Sequence, residues 1–207
     1  GADAVLIETV FDTLNAKAAI DATMEVERRT GRDLPIMLSI TVSDLAGRTL
    51  SGQTLDAVLA SVSSYPIFSI GLNCSFGADQ MKPVIKELAH HAPYYISAYP
   101  NAGLPNSLGG YDETPETMAP QIGEYIDEGL VNIIGGCCGT TEKFIDKYAE
   151  IAEGKTPHQP QEKPRTMWLS GLELLDVTPD VRFVNVGERC NVAGSRKFLR
   201  LIKEKNY

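Results

Sequence analysis

The sequence predicts an α/β protein built on a parallel sheet, and three features carry that prediction. Short apolar runs of β-forming residues alternate with segments of helical period, five times over. The starts of the runs recur about every 30 residues, the length of one strand–helix–strand unit. Helix start and stop signals fall between the runs, and such alternation favours parallel strands covered by helices.

In chain order, the first strand is expected near residues 3–9, where Val5-Leu6-Ile7 is apolar, with a helix near 13–29. The second unit places a strand near 35–41 and a helix near 54–63. The third has a strand near 67–73 and a helix near 79–91, and the fourth a strand near 94–99 and a helix near 115–128. Thr114-Pro115 supplies an N-cap followed by proline at the first helical position, and Gly129 ends that helix. The fifth strand falls near 131–135 and its helix near 142–153, stopped by Gly154. A closed barrel of this kind needs eight strands and about 250 residues, so five units read as the C-terminal part of a (β/α)8 TIM-type barrel, residues 1–153. Open edges near 3–9 and 131–135 would expose unpaired backbone unless they pair with another chain or belong to a longer one.

Beyond Gly154 the composition turns to proline and polar residues, Lys155 to Pro164, and residues 154–181 read as an extended linker. Phe183 to Arg189 then suggests a new strand and turn, and residues 195–205 a helix. One such unit is too small for a domain, so residues 182–207 are expected to begin a second module.

At 207 residues and 43% hydrophobic content the chain can bury one good core and begin another. A net charge of -8 argues against binding to nucleic acid, and no apolar run of about 18 residues offers a membrane span. The first residues lack a Met and a basic signal region, so no secretory leader is expected and the chain reads as starting in mid-fold. Four cysteines in a chain of this size do not resemble a disulfide framework, which favours the reducing cytoplasm.

Three of those cysteines carry the chemistry. Cys137 and Cys138 stand in Gly135-Gly136-Cys137-Cys138-Gly139-Thr140-Thr141, just after an apolar strand, and Cys74 follows the run Ile67 to Ile70 in Gly71-Leu72-Asn73-Cys74-Ser75. All three thiols are therefore expected at strand C-terminal tips, where barrels of this type carry their sites. Adjacent residues on a strand point to opposite faces, so the pair reaches one ion only if the chain turns between them, which positive φ at Gly135, Gly136 or Gly139 would permit. Three thiolates with an open fourth position describe a catalytic zinc. Buried inert cysteine is the plain alternative, and an anion nest over residues 135–141 is another.

Glu8 ends the first apolar run and should project from the same rim, as an acceptor for a substrate ammonium group or simply as an exposed acid. Asn73 and Asn101 occupy comparable positions as candidate substrate contacts, although turn roles suit them as well. His90, His91 and His158 fall away from strand tips and are not expected as ligands.

Together these residues resemble the homocysteine S-methyltransferase family, whose barrel carries one cysteine after its sixth strand and Gly-Gly-Cys-Cys-Gly after its eighth. Ile7 to Thr13, Gly47 to Gln53, Tyr99 to Asn106 and, in the tail, Val184 to Ser195 further resemble the cobalamin-dependent methionine synthase branch. Betaine- and S-methylmethionine-using members share the thiol pattern but lack the tail module. The resemblance implies zinc on Cys74, Cys137 and Cys138, with Glu8 holding the amino group of homocysteine. It also implies methylcobalamin as the methyl donor, carried on a cobalamin-binding module, and a folate-binding module that this tail begins, with Asn191 near the pterin and Cys190 structural. On that reading the chain activates substrate but does not turn over alone. Its rivals are a phosphate-binding barrel fragment with inert cysteines and an assembly module joined through the open sheet edges.

Overall fold

The computed structural model describes residues 1–181, 183–185, 187 and 191–206. Five strands, β1 (Val5–Val10), β2 (Ile36–Ile40), β3 (Ile67–Asn73), β4 (Tyr95–Tyr99) and β5 (Ile133–Ile134), form one sheet in the order of the sequence. All four pairings are parallel. The helices α1 (Thr13–Thr30), α2 (Leu55–Val62), α3 (Ala78–His91), α4 (Pro115–Asp127) and α5 (Glu142–Ala152) supply the crossovers. Each touches the next, α1 to α2 through α4 to α5, as one layer on one face of the sheet. A sheet wound in sequence order without a reversal is consistent with part of a TIM-type barrel and differs from a doubly wound sheet, whose strand order reverses.

Register explains which residues make the core. Leu38, Ile70 and Ile96 stand side by side on neighbouring strands, as do Ile40, Leu72 and Ala98, and every one is buried beneath the helices. The alternate positions face the other way, and their burial is uneven: Leu6 and Tyr95 are exposed, whereas Ser39, Ser69 and Ser97 are buried. Capping fixes the helix starts. Asp12 Oδ1 accepts from Asn15 N–H at 2.9 Å, and Thr114 with Thr117 makes a reciprocal capping box ahead of α4.

Residues 155–166 are extended, as their prolines require, but they are tied down rather than free. His158 N–H donates to Val131 O at 3.1 Å and Gln161 N–H to Ala92 O at 3.2 Å, while Lys163 Nζ donates to Ser63 O at 2.6 Å, so the stretch runs along the residues that precede β5, β4 and β3. A two-stranded sheet follows, β6 (Met167–Ser170) and β7 (Leu174–Val177), where the sequence suggested only linker. It packs on α2, and Ser170 Oγ donates to Ala57 O at 2.6 Å.

The chain divides into two units, Gly1–Asp176 and Val177–Tyr207. The second holds a 3-10 turn (Val192–Gly194) and α6 (Arg196–Glu204), the helix expected at 195–205. The strand expected over 183–189 does not form at Phe183–Asn185 or Gly187; the remainder of it, and Cys190, lie outside the described residues.

Candidate metal centre

The rim at the C-terminal ends of the strands gathers the three thiols. Cys74 follows β3 directly, and Cys137 and Cys138 follow β5 after two glycines. Cys74 Sγ lies 2.6 Å from Cys137 Sγ and 3.8 Å from Cys138 Sγ, and the last two are 4.0 Å apart. A tetrahedral ion with metal–sulfur bonds of about 2.3 Å separates its sulfurs by about 3.8 Å. Two of the three separations match that edge, and the third opens by about 1 Å to match it. The donor set fits zinc.

Strained backbone holds these tips. Cys74 and Ser75 both take left-handed φ, +56° and +58°, and Thr9 at the tip of β1 takes +57°. Such conformations cost about 1–3 kcal/mol each and persist only where surroundings enforce them. Here Cys74 N–H donates to Tyr99 O at 3.1 Å, Val42 N–H to Ser75 Oγ at 3.0 Å, and Thr9 N–H to Asn73 Oδ1 at 3.0 Å.

The turn between Cys137 and Cys138 uses its glycines differently from the expectation. Only Gly139 has a positive φ, +81°. Gly135 and Gly136 serve close approach, since a Cβ would meet the Tyr99 ring at 2.8 Å in one and Thr140 Oγ1 at 2.1 Å in the other. Three backbone amides of this loop are spent internally: Cys137 N–H on Pro100 O, Cys138 N–H on Asn101 Oδ1 and Thr140 N–H on Cys137 O. Those three donors are not free for an anion nest, and the thiols turn toward one another.

Electrostatics sharpen the case for a cation. Burial, then hydrogen bonds from Cys137 and Cys138, push the Cys74 thiol up to about 12. Cys138 is lowered, chiefly by the Tyr111 hydroxyl, and Tyr111 is raised in return by Cys138. Three adjacent thiols cannot all ionise on their own, and a metal ion removes that conflict.

The other expected residues fall into different roles. Asn73 is buried, with Oδ1 accepting from Thr9 N–H and from Ser39 Oγ at 2.8 Å, and Nδ2 donating to Thr9 Oγ1 at 3.1 Å and facing Cys137 Sγ at 3.9 Å. Asn101 is buried too, and besides its bond to Cys138 its N–H donates to Phe76 O at 3.1 Å. Both amides therefore brace the thiol loops. Glu8 is exposed on β1, and its charge reaches Tyr99, whose hydroxyl is raised first by burial and further by that carboxylate. Asn191 belongs to the second unit, where its Oδ1 accepts from Ala193 N–H at 2.9 Å. Sequence reasoning missed Tyr111, whose ring would lie 2.5 Å from a Cβ on Gly139 and so covers the thiol loop. The only signal for it is an aromatic after Gly109-Gly110 in the loop between β4 and α4.

A parallel sheet wound in sequence order presents three converging thiols at its strand tips, a group of ligand atoms that could hold a metal ion. The sequence model of the Homocysteine S-methyltransferase family matches residues 1–152, and the chain belongs to that family. Its fold is similar to that of the homocysteine methyltransferase MmuM from Escherichia coli. The apo form matches with a TM-score of 0.52 and 22% identity over 73% of this chain and 50% of that one. The oxidized form matches with a TM-score of 0.53 and 23% identity over 72% of this chain and 46% of that one. The chain thus spans about half the length of those relatives.

Proposed function

We propose that Cys74, Cys137 and Cys138 hold a zinc ion and that the chain activates the thiol of homocysteine for methyl transfer, forming methionine. The observation that carries this reading is the convergence of the three sulfurs to within 4.0 Å from two separate strand tips. Zinc bound there supplies Lewis acidity at an exchangeable position, enough to keep a thiol deprotonated at neutral pH. The protein's own residues do the rest. Asn73 and Asn101 fix the positions of Cys137 and Cys138, Tyr111 covers the loop, and Glu8 accepts the substrate ammonium at the rim. In the transfer a sulfur–carbon bond forms, the bond between the methyl group and its donor breaks, and the thiol proton is released.

The tail run Val184 to Ser195 supports the cobalamin-dependent form of this chemistry. On that form methylcobalamin on a separate module is the donor, a folate-binding module recharges it, and Asn191 lies near the pterin. Membership of the family and the donor set support the reading in the cytoplasm, where thiols stay reduced. Among the described residues no helix is long and apolar enough to cross a membrane.

Elemental analysis of protein purified under reducing conditions tests it. About one zinc per chain is expected at the thiol site, absent from Cys74→Ser, and homocysteine should bind the loaded protein with release of a proton. A thiol site that stays empty after reconstitution with zinc would sink the reading.

A further inference from the structure

Asn73 ends β3 beside Cys74 and is only 1% exposed, yet its amide reaches past that neighbour to the tip of β1 and to the loop after β5. Its Oδ1 accepts from Thr9 N–H at 3.0 Å and from Ser39 Oγ at 2.8 Å. Its Nδ2 donates to Thr9 Oγ1 at 3.1 Å and faces Cys137 Sγ at 3.9 Å. Chemistry settles which way the amide is turned. A backbone N–H can only donate, so the atom beside Thr9 N–H has to be the oxygen, and the NH2 group is left to Cys137.

Each end of the amide has a consequence. Thr9 N–H belongs to the peptide bond that follows Glu8, and Thr9 takes a left-handed φ of +57°, which a β-branched residue adopts only where its surroundings enforce it. The bond to Asn73 Oδ1 does so, and it fixes the backbone from which Glu8 projects. Glu8 lies on the side of the thiol loop, since its charge is felt at Tyr99, whose ring packs on Gly135 just ahead of the cysteine pair. At the other end, an N–H turned on a sulfur draws charge from it, and the effect grows when that sulfur is a thiolate on a cation. A leucine of similar shape would orphan Thr9 N–H, and an aspartate would set negative charge against the sulfur. Asparagine serves both ends.

Resting on the zinc reading above, we infer that Asn73 is a positioning residue that couples the metal to the substrate's ammonium group. Its NH2 draws charge from the Cys137 thiolate, and its oxygen holds Thr9, and with it Glu8, in place for the ammonium. Buried behind both groups, Asn73 acts on homocysteine through them and not by direct contact.

The cobalt(II)-loaded 207-residue chain, titrated with homocysteine and with γ-mercaptobutyrate, which is homocysteine without its ammonium group, tests the two ends separately. The unaltered chain should show a thiolate-to-cobalt charge-transfer band and prefer homocysteine by about tenfold or more. Glu8→Gln should lose the preference and leave the band in place. Asn73→Asp keeps an oxygen for Thr9 N–H but opposes a charge to Cys137, so the preference should survive while the band shifts and cobalt affinity falls by about tenfold or more. Asn73→Ala should lose the preference and shift the band together. An Asn73→Asp chain with the parent's band and affinity would overturn the inference, as would one that loses band and preference alike, the mark of a residue that only supports the fold. Asn73→Ala with unchanged circular dichroism and the full preference would overturn it too. A band without any preference in the unaltered chain would overturn the coupling to Glu8. Absence of the band from the unaltered chain would instead sink the zinc reading itself, and this inference with it.

Discussion

Tyr111 decides how the thiols differ from one another. Its hydroxyl lowers Cys138, whereas burial raises Cys74 to about 12, so in metal-free reduced protein the two should not react alike. Alkylation requires the thiolate, and the thiol with the lower pKa presents more of it at a given pH. Iodoacetamide labelling at neutral pH with a chelator present, read by mass spectrometry, should therefore modify Cys138 well before Cys74. Replacing Tyr111 with Phe removes the stabilising hydroxyl, raises the Cys138 pKa and moves its labelling profile to higher pH. An unchanged Cys138 profile in Tyr111→Phe would remove Tyr111 from the site. The sequence disclosed the cysteines through their placement after strands and beside glycines, but Tyr111 could not be read from it. Its role depends on a loop that folds back over Gly139, a contact between residues 28 apart in the chain and invisible to any local pattern.

The same limit applies at the scale of elements. Five strands and five helices of the sheet unit were legible because short apolar runs alternate with helical periods, and α4 in addition carries Thr114-Pro115 before it and Gly129 after it. The hairpin of β6 and β7 was not, because Met167–Ser170 and Leu174–Val177 are four residues each and follow a proline-rich stretch that reads as coil. What stabilises that hairpin is tertiary: Arg48 pairs with Glu173 at 2.5 Å, and Thr54 N–H donates to Leu172 O at 2.9 Å. Gly71 shows how tightly the strands themselves are drawn together. A Cβ there would stand 1.9 Å from Ser97 O on β4, and backbone on a central strand cannot yield. Gly71→Ala should cost at least about 2–3 kcal/mol in urea unfolding, and because Cys74 lies three residues on, it should also lower metal retention. A variant as stable as the parent would mean that β3 and β4 are not paired in this register.

For the whole molecule, the question is what keeps residues 155–166 against the sheet when most of them are exposed. His158 is the anchor. It is 6% exposed, its Nδ1–H donates to Gly129 O at 3.0 Å, and its own carbonyl accepts from Asn132 Nδ2 at 2.7 Å. Asn132 Oδ1 in turn accepts from Ile96 N–H at 2.8 Å, so one chain of hydrogen bonds joins the strap, the approach to β5 and the start of β4. A free proline-rich linker would be cut rapidly by trypsin at Lys155 and Arg165, whereas a strap held in this way resists protease until it opens. Limited trypsin digestion of the native chain should accordingly spare these two sites on the timescale at which unfolded protein is consumed. His158→Ala removes the buried ring and its bond to Gly129, and should cost about 2–4 kcal/mol in local opening and speed cleavage at those sites in proportion. Equal cleavage rates in the parent and in His158→Ala would show that the strap is open in solution, and residues 155–166 would then be the flexible linker that their composition suggests.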